Sequence, residues 1–109
     1  MSNLKQLAIQ YFEMFSNKDL TALSDIFGDN VTLRDWERSA TGKADMLAVA
    51  KGIFDAVNTI NVTPITLYEE GNTVVAEIEV LVNGDTKLLV VDVIKFENDK
   101  ISSVVAYKG

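Results

Sequence analysis

At 109 residues the chain has room for one hydrophobic core and not for two. Its formal charge of −6, with ten scattered Lys and Arg against sixteen Asp and Glu, sets it against a nucleic-acid backbone as partner. The absence of Cys and His removes disulfides, Cys/His metal sites, Ser-His-Asp triads and thiol nucleophiles together, so any proton transfer falls to Asp, Glu, Tyr or Lys.

The start, "MSNLKQLAIQ", has neither a charged n-region ahead of an unbroken apolar stretch nor a small-residue cleavage site, and no apolar run approaches the roughly 20 residues of a membrane span. The expectation is one cytoplasmic domain over residues 1–109 that contacts no membrane and carries no cofactor and no metal. Leu4, Leu7, Ala8, Tyr11, Phe12 and Phe15 recur at spacings of three and four, which predicts an amphipathic helix with Tyr11 on its buried stripe. Leu20, Leu23, Ile26 and Phe27 give a second, short helix, with Asp19 near its start and Gly28 as its stop. "DNVTLRDWE" reads as a first strand. Thr41 is placed to cap a third helix carrying Leu47, Ala50, Phe54 and Val57 on one face.

From Asn58 the apolar period becomes two, in four runs punctuated by "EEGN", "NGD" and "END", the pattern of antiparallel hairpins. Pro64 cannot donate to a ladder, and the inward parity switches there, so a bulge is expected at that point. Two helices, a strand, a helix and four strands make one α+β unit.

Strand parity then locates the carboxylates. Asp92 shares its side of "LLVVDVIKF" with Leu88, Val90, Ile94 and Phe96, while Lys87, Lys95 and Glu97 lie opposite, so it points inward. A buried carboxyl must find hydrogen-bond partners or keep its proton with a raised pKa. Asp35 follows Val31 and Leu33 on one face at the end of the first strand, opposite Arg34 and Trp36. Tyr11, Asp35 and Asp92 come from three elements, and they are expected to converge on one pocket as the candidate catalytic set. On the other side of the sheet Val75, Leu81, Leu89, Val91 and Val93 leave a face too apolar for water, which predicts a homodimer through the outer sheet face.

The run "QYFEMFSNKDLTALSDIF" leading into "DNVTLRDW", then "TGKADMLAVAKGIF" and strands ending "VVDVIKFENDKISSVVAY", resembles the nuclear-transport-factor-2-like superfamily, in the branch of ketosteroid isomerases and SnoaL-like polyketide cyclases. The resemblance implies a cone: three N-terminal helices packed in the concavity of a curved, mainly antiparallel sheet, in the order α-α-β-α-β-β-β-β. It further implies Asp35 as general base, with Tyr11 and a protonated Asp92 as oxyanion donors, acting on a small apolar carbonyl-containing molecule. The scaffold also hosts non-catalytic small-ligand-binding and dimerisation modules.

Overall fold

The computed structural model describes residues 3–109. Its elements are α1 (Leu4–Ser16), α2 (Leu20–Ile26), β1 (Phe27–Arg34), β2 (Ser39–Thr41), α3 (Lys43–Ala56), β3 (Ile60–Glu70), β4 (Thr73–Val82), β5 (Thr86–Glu97) and β6 (Lys100–Lys108). The strands form one curved sheet in the order β2-β1-β6-β5-β4-β3. Every neighbouring pair is antiparallel except β1 and β6, which run parallel. The alternation read from the sequence sends Val74, Ala76, Ile78, Val90, Ile94 and Phe96 inward, where they meet Ala8, Tyr11, Phe12, Leu23 and Phe54 of the helices in one core.

The three punctuation signals are hairpin turns. Asn98 and Asp99 both take positive φ, as the commonest two-residue turn requires, and Gly71, Asn83 and Gly84 supply the other left-handed positions. The bulge also falls where Pro64 marks it. Pro64 pairs with Ile78 and Thr66 with Glu77, so Ile65 is the extra residue and turns to solvent, while Leu67 regains the core face opposite Ala76.

Two expectations near the helix ends need correction. Gly28 does not stop α2: the helix passes into β1 through an extended Phe27, and Gly28 is a strand residue. Thr41 does not cap α3, because it is held extended in β2, the short strand that pairs with β1 and that the sequence did not disclose. The cap position is Gly42, at φ 90°, and the Thr41 amide instead donates to Asp45 Oδ2 at 3.0 Å.

The C-terminus of α3 is fastened from across the molecule. Lys18, in the turn between α1 and α2, donates from Nζ to the carbonyls of Phe54 (2.9 Å), Val57 (2.7 Å) and Asn58 (3.1 Å). The ammonium satisfies carbonyls that a helix end leaves unpaired and sits at the negative end of the helix dipole. Lys18→Met, which keeps the stem and removes the charge, is expected to cost about 2 kcal/mol, because water replaces only part of three charge-assisted bonds. Thermal denaturation should show the melting temperature lower by roughly 10 °C.

Candidate functional site

The core does not fill the whole concavity. On β4 and β5 burial is complete at Val74, Ala76, Ile94 and Phe96 but relaxes to half at Val80, Val82 and Leu88, so the space between sheet and helices is closed at one end and opens at the other. The opening leads to a cavity of about 370 Å³, at the small end of the range for small-molecule pockets. Its walls are mostly apolar, from Phe12, Phe15, Met46, Val49, Ile53, Ile60, Ile78 and Val104.

Tyr11, Asp35 and Asp92 all border this cavity, as the strand and helix periodicities predict. Asp92 sits mid-strand with Ala76 of β4 on one side and Ala106 of β6 on the other. Two methyl groups leave room that larger neighbours would occupy, and the carboxyl stands in the sheet wall facing the cavity. Neither it nor the Tyr11 hydroxyl has a hydrogen-bond partner among the described residues. Burial pushes the Asp92 pKa up to about 7, and the Asp35 charge pushes in the same direction. The Tyr11 phenol is also raised, first by burial and then by Asp92, and stays protonated. Tyr11 is held by Phe12, Phe15 and Phe27, with ring centroids 5.5, 6.1 and 6.0 Å away.

Asp35 lies just past β1 and does two things at once. Its Oδ1 accepts from the amides of Glu37 (2.7 Å) and Arg38 (2.6 Å), and its own amide donates to the Arg38 carbonyl at 2.9 Å, which closes a tight turn. Its Oδ2 makes no hydrogen bond and lies 3.6 Å from Arg38 Nη1. One oxygen therefore holds the loop and the other keeps its lone pairs.

That turn accounts for what the sequence reading missed. Parity puts Trp36 on the outer face, but β1 ends at Arg34 and the Asp35 turn swings Trp36, Glu37 and Arg38 to the mouth of the cavity, where Lys108 joins them from β6. The available signal was Asp35 itself, since an Asp at a strand end that bonds the backbone two residues on breaks the alternation. Among the described residues no three acidic side chains gather closely enough to hold a metal ion.

A half-open cone of three helices on a bent six-stranded sheet, with a cavity between the layers, defines the nuclear-transport-factor-2-like class. The chain belongs to the SnoaL-like domain family, whose pattern matches residues 8–104. Its backbone is similar to that of a candidate SnoaL-like polyketide cyclase from Shewanella denitrificans, with a TM-score of 0.88 at 15% identity over 100% of this chain and 92% of the other. It is likewise similar to a candidate ketosteroid isomerase from Kribbella flavida, with a TM-score of 0.85 at 18% identity over 97% and 77%. A de novo designed protein with a curved β-sheet gives 0.83 at 18% over 100% and 88%. These identities establish the fold alone. No curated protein matches the sequence. No helix among the described residues is long and apolar enough to cross a membrane.

Proposed function

We propose that the chain is a small cytoplasmic enzyme of one domain that removes a proton α to the carbonyl of a small apolar substrate, as an isomerase or cyclase does, without a metal. The observation that carries this reading is the meeting of three proton-active groups, from α1, the end of β1 and the middle of β5, on one apolar cavity. Asp35 Oδ2 takes the α-proton. The substrate carbonyl oxygen, turned to the cavity wall, accepts hydrogen bonds from the Tyr11 hydroxyl and from protonated Asp92, which stabilise the enolate as its charge develops. Asp35 then returns the proton to the same or a neighbouring carbon. In an apolar cavity these donors have little competition from water.

The test is α-proton exchange in heavy water, followed by NMR for cyclohexanone, 1-indanone and 2-tetralone. Exchange above the buffer rate should appear with the wild type and vanish in Ala106→Phe, which places a ring beside Asp92. A ketone that binds while exchanging only at the buffer rate would identify a binding module instead. The two backbone amides held by Asp35 Oδ1 favour that second reading, since they give this carboxylate a turn-forming task that needs no chemistry.

The outer face of the sheet supports a homodimer. Ile65, Tyr68, Leu89 and Tyr107 are each more than half exposed there, around Val75, Val91 and Val93. Tyr68 donates to Glu77 Oε1 at 3.2 Å, and that glutamate raises the Tyr68 pKa by its charge and by the bond. Val91→Lys, opposite Tyr107, is expected to convert a dimer to a monomer of 12.0 kDa by light scattering with the circular dichroism unchanged. A wild type that is already monomeric at micromolar concentration would remove the interface.

A further inference from the structure

The mouth of the cavity has two unlike sides. Towards α3 and the β4–β5 hairpin it is apolar, with Val57, Val82 and Leu88. Towards β6 and the Asp35 turn it carries Trp36, Glu37, Arg38 and Lys108. The four charged side chains of this second side, Asp35 included, cancel in sum but not in place. Asp35 and Glu37 are grouped round Arg38, at 3.6 and 3.7 Å. Lys108 stands apart on β6, and it forms no ion pair or hydrogen bond among the described residues. Its ammonium lies 5.8 Å from the centroid of the Trp36 ring. That contact holds a flexible cation over the rim of the cavity without neutralising it.

From this we propose that Trp36 and Lys108 form an anion subsite at the cavity mouth, and that the ligand is an amphiphilic organic anion. Its apolar body enters towards Asp92 and its carboxylate or sulfonate stays outside against the Lys108 ammonium. A full anionic charge finds no cation further in: past the rim the polar groups are the Tyr11 hydroxyl and Asp92, and the Asp35 carboxylate stands on the way. On a chain of net charge −6, an unneutralised lysine at this one rim gives an incoming anion a defined place to dock and fixes which end of the molecule leads. The inference rests on the cavity being a small-molecule site, and it does not require that the site be catalytic.

Two fluorescent probes that differ only in the charged group test it: 8-anilinonaphthalene-1-sulfonate and neutral N-phenyl-1-naphthylamine. The sulfonate should bind more tightly, and Lys108→Met, which keeps the stem over Trp36, should weaken it about three- to tenfold while leaving the neutral probe within about twofold. Raising the salt should reproduce the loss for the sulfonate alone. Trp36 is the sole tryptophan, so its indole N–H resonance should move with the sulfonate in the wild type. Ala106→Phe, or Ala50→Phe from the opposite wall should one of them fail to fold, should abolish both signals. If both probes bind equally and Lys108→Met changes neither, the anion subsite is wrong while the cavity remains a ligand site. If blocking the cavity affects neither probe, they sit elsewhere on the protein, and the ligand-site reading falls with the subsite.

Discussion

Asp92→Asn is expected to make the protein more stable above neutral pH, and to do so by several kcal/mol. An aspartate in an unfolded chain binds its proton near 3.9, whereas burial moves Asp92 in the folded chain to about 7. Between these two values the folded state holds a proton that the unfolded state has released, so unfolding free energy falls as pH rises, by about 1.4 kcal/mol per pH unit. Below the lower value the residue costs nothing in this respect, and above the upper one the loss is complete at roughly 4 kcal/mol. Asparagine fills the same space between Ala76 and Ala106 without ionising. Urea unfolding from pH 4 to pH 8 should show wild type and mutant diverging up to about pH 7, and thermal unfolding at pH 8 should place the mutant's melting temperature roughly 15–20 °C higher. Parallel curves would mean that Asp92 ionises as freely as an exposed carboxyl. The same proton is the one proposed to stabilise the enolate, so turnover should fall as pH rises through about 7.

Asp35→Asn is expected to lower α-proton exchange by about 10²–10⁴-fold, the usual worth of a positioned general base. The substitution separates the two tasks of this side chain. An asparagine carbonyl oxygen still accepts from the amides of Glu37 and Arg38, so the turn that carries Trp36 to the mouth survives. Only the lone pairs and charge of Oδ2 are lost. Binding of a neutral ketone should therefore change little, and the effect should appear in the rate of chemistry. Removing the Asp35 charge also relieves Asp92, whose pKa should move back towards the ordinary carboxylate range. NMR titration of the carboxyl carbons would report that shift directly. Exchange at the wild-type rate in this mutant would remove Asp35 from the mechanism.

The legibility of the site tracks how regular each element is. Asp92 could be placed because β5 alternates without interruption from Leu88 to Phe96, and one continuous strand fixes the direction of every side chain in it. Tyr11 was equally accessible, from an unbroken helical stripe. Asp35 could be placed at the rim, but its hold on the next three residues could not, and so Trp36 was assigned to the wrong face and Arg38 went unnoticed. β2 has only three residues, too short for a period to show. The Lys18 clamp joins residues 36 to 40 apart in the chain, and no local pattern announces a contact of that span.

The place of β6 in the sheet has a consequence for synthesis. It is the last strand of the fold to be made, yet it lies between β5, which carries Asp92, and β1, which leads to Asp35. A nascent chain that has emerged as far as Glu97 can close the β3–β4–β5 meander and dock α1 upon it, but β1 then has no neighbour on its inner edge and the two carboxyls have no common wall. The cavity therefore comes into being in one step, when residues 100–108 slide into the gap. Until that moment the edges of β1 and β5 stand open as templates for pairing with another chain, which makes the interval before β6 emerges the point of greatest exposure to aggregation.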